Sequence, residues 1–246
     1  MTEPMKQVLL FAVVVSALVS CTGKSNTLSS GDKANGWDLL FNGEDLTGWR
    51  NYNSDTLEGW YVEDGCIVAS GEGPESYGYI VYDKVYEDFD FSIDWKLSYG
   101  GNGGLIYHVQ EDDSFKMPFV TGPEYQLIDK IGWEDRNAPA TLHDWQDLGA
   151  DYSMHVADCS KARINPAGEW NNSRITFRNG HVQHFLNGTL ICEFDVWTED
   201  WFALKADSKW KQFPEYGMSD RGFICLQAHG DKAWFRNVKI KNYPVG

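Results

Sequence analysis

"SRITFRNGHVQHFLNGTLICEF", residues 173–194, holds three short runs rich in β-branched and aromatic residues, parted by Asn179-Gly180 and Asn187-Gly188. Asn-Gly between such runs is a strong hairpin signal, because both residues tolerate the positive φ of a type I′ turn. The stretch therefore predicts a three-stranded antiparallel meander. Upstream, "DFDFSIDWKLS" (88–98) alternates with strict period two, with Phe89, Phe91, Ile93, Trp95 and Leu97 on one face and Asp90, Ser92, Asp94 and Lys96 on the other. "WYVEDGCIVAS" (60–70) reads as a hairpin turning at Asp64-Gly65. Strands at this spacing, with almost no helical periodicity after Trp37, indicate an all-β sandwich or jelly roll. The 246 residues have room for one large all-β domain or two small ones. No linker interrupts the pattern after residue 36, so a single domain is expected over 37–246.

The ends and the bulk composition narrow the function. Lys plus Arg is 21 against 36 Asp plus Glu, a net charge of −15, which argues against nucleic acid and anionic membrane surfaces. Aromatics make up 15%, including 11 Trp and 12 Tyr. Their flat faces suit sugar rings and equally fill sandwich cores. Lys6 precedes the apolar run "VLLFAVVVSALV", too short and too early for a spanning helix, and Leu18-Val19-Ser20-Cys21 resembles a bacterial lipobox. Residues 1–21 are thus expected to be a lipoprotein signal peptide ending at a lipidated Cys21, with 22–36 a flexible tether. The expected location is the cell envelope, periplasm-facing or at the outer membrane, with membrane contact only through the lipid. Cys66, Cys159, Cys192 and Cys225 could pair in three ways, or serve as small buried hydrophobes, as the apolar neighbours of Cys66, Cys192 and Cys225 suggest. No pair has zinc spacing.

Two segments break the strand pattern, the polar, turn-rich 129–172 and 195–221, the second with room for a short helix. Loops this long are often functional or merely decorative. In "GFICLQAHGDKAWFRNVKIKNY" (222–243), a turn at Gly230-Asp231 would pair Gln227 with Trp234 and Cys225 with Arg236. One face of that hairpin would collect Gln227, His229, Lys232, Trp234 and Arg236, either a sugar-binding surface or a wet outer face. The other face (Ile224, Leu226, Ala228, Ala233, Phe235) would be core. In "GPEYQLID" (122–129), Glu124 and Gln126 share a face. Partial desolvation there would raise the Glu124 pKa and suit it to proton transfer. "GGNGGLIYHV" (100–109) places His108 at the parity of Ile106, with glycines around Asn102 that permit close approach. There is no GxSxG elbow, HExxH or EF-hand loop. No metal motif is recognisable, and calcium in the Asp-rich loops stays open.

Seven segments in order resemble the 3-keto-disaccharide hydrolase domain family: "LFNGEDLTGWR" (40–50), "WYVEDGCI" (60–67), "DFDFSIDWKL" (88–97), "GNGGLIYHV" (101–109), "GPEYQLID", "EWNNSRITFRNGHVQHFLNG" (169–188) and "LQAHGDKAWFRNVKIK" (226–241). The resemblance implies a concanavalin-like jelly roll with a concave sheet that binds sugar. Glu124, Gln126, Gln227, His229, Arg236 and Asn237 match the family pattern. The chain departs from it at Asn102-Gly103-Gly104, where Asn-Ser-Gly is common, and at His108, where Arg is frequent.

The implied substrate is a glycoside already oxidised to a ketone at C3. The carbonyl acidifies the C2 hydrogen, a base removes it, and the C1 oxygen leaves by elimination; water addition makes the net reaction hydrolysis. Glu124 is the expected base, Arg236 and Gln126 the oxyanion donors, and His229 the acid. Asn102, His108, Gln227, Trp234 and Asn237 are expected to bind substrate, with His143 of "TLHDWQD" as a lid contact or second acid. Other readings are a two-carboxylate glycosidase pairing Glu124 with Asp129 through a bulge, a non-catalytic carbohydrate-binding module, and a structural envelope lipoprotein.

Overall fold

The computed structural model describes residues 25–243. In chain order the strands are β1 (Trp37–Leu39), β2 (Trp49–Asn51), β3 (Trp60–Glu63), β4 (Cys66–Ala69), β5 (Tyr79–Tyr82) and β6 (Asp88–Leu97). They continue with β7 (Asn102–Val109), β8 (Glu124–Ile128), β9 (Asn171–Arg178), β10 (His181–Leu186), β11 (Thr189–Asp195), β12 (Phe223–Ala228) and β13 (Ala233–Tyr243). They form two antiparallel sheets, a large one ordered β11-β10-β9-β6-β13-β4-β3 with β1 also on β13, and a small one ordered β2-β5-β12-β7-β8. This is the expected jelly-roll sandwich. The β9-β10-β11 meander turns at the two Asn-Gly pairs, with φ of 49° and 82° at the first and 48° and 84° at the second.

Alternation builds the core. Phe89, Phe91, Ile93, Phe235, Ile240 and Leu226 are fully buried, and each such side chain contributes about 1.5–3 kcal/mol. Trp60 stacks on Phe235 across the large sheet, ring centroids 6.0 Å apart. The four described cysteines are free thiols; Cys66, Cys192 and Cys225 are buried among apolar neighbours.

The hairpin expected over 222–243 does not form. β12 pairs with β5 and β7, whereas β13 pairs with β1, β4 and β6, so residues 229–232 turn the corner from one sheet to the other. Ile224, Leu226, Ala228, Ala233 and Phe235 all face the core, as expected. The outward residues of the two strands therefore lie on opposite outsides of the sandwich. A bulge in β7 sets Phe223 against Val109 but Cys225 against Ile106, and His108 there has φ of 52°. The bulge turns His108 inward.

The flanking segments are pinned. The Asn26 N–H donates to Asn237 Oδ1 (2.7 Å), the Asn237 N–H donates to Asn26 Oδ1 (2.8 Å), and Lys239 pairs with Asp32 (2.8 Å) on α1 (Ser30–Ala34). From Asn26 onward the expected tether is thus docked. Segment 129–172 opens with α2 (Lys130–Arg136) and then runs beside β8, where Gln126 N–H donates to Ala150 O and Tyr152 N–H to Glu124 O, both at 3.0 Å. Segment 195–221 holds α3 (Glu199–Asp207), capped by Thr198. The buried Lys205 ammonium donates to Pro214 O (2.7 Å) and Tyr216 O (2.8 Å), folding the segment back on itself. Trp210 stacks on Tyr216 at 4.1 Å and donates to Tyr152 O (2.8 Å), tying both long segments together over the small sheet.

Candidate active site

The outer face of the small sheet carries a polar floor. Register fixes it: Gly104 on β7 faces Gln126 on β8 and Gln227 on β12, and Ile106 faces Glu124. Glu124, Gln126 and Gln227 are 5%, 3% and 5% exposed. A Cβ at Gly104 would collide with Oε1 of both Glu124 and Gln227, so only glycine lets the two side chains converge over the strand. With its amide turned, Gln126 donates to Glu124 Oε1 (3.0 Å) and to Gly103 O (3.3 Å), and its oxygen lies 3.2 Å from Asn102 Oδ1, a contact that becomes a hydrogen bond with the Asn102 amide turned as well. Gln227 Nε2 donates to the Tyr79 hydroxyl (3.2 Å) on β5.

Lys209, Tyr152 and Phe119 wall this floor, and Glu75 and His229 stand at its rim, enclosing about 200 Å³. Lys209 keeps a solvent-exposed flank, but its Nζ lies 4.0 Å from the Tyr152 ring centroid and 4.2 Å from that of Trp210. Loss of hydration there lowers its pKa, and the Glu124 carboxylate opposes that shift. Burial drives the Glu124 pKa well above the ordinary carboxyl range; Lys209 pulls it back, and buried Asp151 pushes it further up. The cleft thus holds a desolvated carboxyl of raised pKa together with a lysine ammonium. Asp151 itself is held by His155 Nδ1 (2.8 Å) and the Tyr216 hydroxyl (3.4 Å). Among the described residues, no three His, Cys, Asp or Glu side chains are placed to share a metal ion.

The cleft unites five of the expected site residues, Asn102, Glu124, Gln126, Gln227 and His229. Others lie elsewhere. Arg236 and Trp234 are on the outer face of the large sheet, Arg236 stacked 3.9 Å over Trp170 and 3.6 Å from Asp94, Trp234 beneath Lys96. Asn237 donates to Asp94 Oδ2 (2.6 Å) and anchors Asn26. His108 is 2% exposed against Phe177 (4.3 Å); burial lowers its pKa to about 4, and its Nε2–H donates to Glu87 O (2.8 Å). His143 is exposed, stacked 5.1 Å from Trp145 outside the cleft. Asp129 accepts from Gly100 N–H (2.8 Å), away from Glu124. Cys21 lies outside the described residues. Sequence reasoning missed Tyr79, Tyr152, Lys209 and Glu75. Strand parity with Val81 marks Tyr79 as outward; Lys209 and Tyr152 sit in the long segments, where no period marks them.

Residues 36–241 match the 3-keto-alpha-glucoside-1,2-lyase-like domain. A 3-keto-disaccharide hydrolase of Bacteroides thetaiotaomicron is 30% identical over 239 residues, 85% of this chain and 79% of that protein. A crystal structure of a candidate glycosyl hydrolase from Parabacteroides distasonis is 44% identical with a TM-score of 0.83, covering 90% of this chain and all (100%) of that one. A second from the same organism is 28% identical with a TM-score of 0.64, covering 84% and 99%. With the family match spanning nearly all of the described chain, the protein belongs to the 3-keto-alpha-glucoside-1,2-lyase-like family.

Proposed function

We propose that the protein cleaves 3-keto-glycosides by elimination across C2–C1. The observation that carries this reading is the buried Glu124 carboxyl facing the Lys209 ammonium over a neutral amide floor. Ionised Glu124 takes the proton from C2, and the C–H electrons form the enolate of the C3 ketone. Lys209, in place of the expected Arg236, stabilises the oxyanion, at a site where a single such donor contributes about 10²–10³ in rate, while Gln126, whose N–H groups are taken by Glu124 and Gly103 O, orients the base. The enolate collapses to a C1=C2 bond, the C1–O bond breaks, and the leaving oxygen takes a proton from His229. Water then adds: its oxygen bonds to C1 as its proton passes to the His229 imidazole, and Glu124 returns its proton to C2, giving free 3-keto-sugar and restoring both groups.

The test is to incubate the purified protein with a 3-keto-glucoside and with its unoxidised parent. Aglycone release is expected only from the keto compound, and Glu124→Gln should lower it by about 10²–10⁴-fold. Equal cleavage of both compounds would instead favour a two-carboxylate glycosidase, for which Glu75 at the rim is the second carboxyl within reach of the cleft. Specific binding of a keto-sugar without cleavage would leave a sugar-binding module. We further propose export as a lipoprotein, from the lipobox-like run ending at Cys21; fatty-acid labelling lost in Cys21→Ser tests it.

A further inference from the structure

A second cavity of about 360 Å³ adjoins the catalytic cleft and shares Glu75, Tyr79 and His229 with it. The stretch "GEGPESYG" (71–78) forms one wall, folded tightly against the sandwich corner at residues 229–232. Its glycines permit that fit. Gly71 has φ of 75°, and a Cβ there would lie 2.8 Å from the Asp231 carbonyl carbon; one at Gly78 would lie 2.5 Å from Ala228 O. Trp60 Nε1 donates to Tyr77 O (2.6 Å), and Ser70 N–H to Gly59 O (2.8 Å), so the wall is fixed from both sides.

We infer that this glycine-walled cavity is the subsite for the leaving group, and that it takes an uncharged, hydroxyl-rich group such as a second sugar. The inference rests on the reading of Glu124 as the base. Glu124 lines only the first cavity, so C2 and the C3 ketone lie there. C1 is one bond from C2, and the leaving group must extend from it. Lys209 and Tyr152 close the catalytic cleft on one flank, while the rim formed by Glu75, Tyr79 and His229 opens into the second cavity. The C1–O bond therefore falls at the junction, beside the imidazole expected to protonate the departing oxygen. The second cavity is of a size typical for small-ligand sites. Neither Lys nor Arg lines it, and Glu72 and Glu75 do, which disfavours an anionic occupant.

Filling variants away from the catalytic groups test this. Ser70→Trp fills the cavity from the end of β4, and Glu72→Trp fills it from an exposed position, so one folds if the other does not. Each is assayed with the 3-keto forms of methyl glucoside and of a glucosyl-glucose disaccharide, with circular dichroism as the control on folding. The folded variant should lose about tenfold or more in kcat/KM on the disaccharide and change little on the methyl compound. A wild type that cleaves both substrates, with variants that impair both equally or neither, overturns the subsite alone. A wild type that cleaves neither overturns the keto-glycoside reading and the subsite with it.

Discussion

At the scale of single residues, the cleft depends on one carboxyl being kept out of water. Its folded-state pKa lies above the unfolded value, so Glu124 contributes stability that is complete below the unfolded pKa and is lost as pH rises through the folded one. Glu124→Gln removes that loss. Urea denaturation should show the variant gaining on wild type by about 1–2 kcal/mol between about pH 5 and about pH 9. A constant difference across that range would mean the carboxyl is hydrated. Lys209 acts in the opposite sense, holding the Glu124 pKa down. Lys209→Met should therefore move the rising limb of kcat/KM to higher pH while lowering its plateau about 10²-fold. A lower plateau with an unmoved limb would separate Lys209 from the base. Gly104 contributes by having no side chain. Gly104→Ala should cost about 1–3 kcal/mol by displacing Glu124 and Gln227, and its kcat/KM should fall further than its share of unfolded protein accounts for.

At the scale of elements, the sequence shows which residues face the core more clearly than which sheet they belong to. The Asn-Gly turns are read correctly because φ chemistry is local, and the alternation of β6 because one face is buried. Gly230-Asp231 also looks like a hairpin turn. Yet the chain there crosses from β12 in one sheet to β13 in the other. A corner preserves alternation, since inward residues stay inward, but it sends outward neighbours to opposite sides. Pattern alone cannot reveal that reversal, so Gln227 belongs to the cleft and Arg236 does not. His108 escapes for a related reason: one bulge residue shifts its parity inward. Lys209 and Tyr152 are brought together by the Trp210 stack, a tertiary contact without a sequence period. Placement on the far sheet has a consequence for Arg236→Ala. It should leave kcat/KM on a 3-keto-glucoside within about twofold of wild type while lowering stability by about 0.5–1 kcal/mol through the lost contact with Trp170. A hundredfold fall in activity would contradict the sheet assignment.

At the scale of the whole molecule, charge and cavity chemistry act together on the choice of substrate. The chain carries a net charge of −15, and Lys209 is the one Lys or Arg lining either cavity among the described residues. An anionic leaving group must approach against the field of the whole surface and then sit beside Glu72 and Glu75. A neutral group meets neither barrier. Two aryl 3-keto-glucosides of equal size, one bearing a carboxylate and one a hydroxymethyl group, separate these effects from intrinsic leaving ability. Raising ionic strength from about 0.01 M to about 0.15 M shortens the screening length from about 30 Å to about 8 Å. The anionic compound should gain several-fold in kcat/KM over that range, about 3- to 10-fold, while the neutral one stays unchanged. A gap that persists at high salt measures the two local carboxylates, and Glu72→Gln should then narrow it. If the two compounds respond identically to salt, charge plays no part in selecting the leaving group, and the glycine-walled cavity discriminates by shape alone.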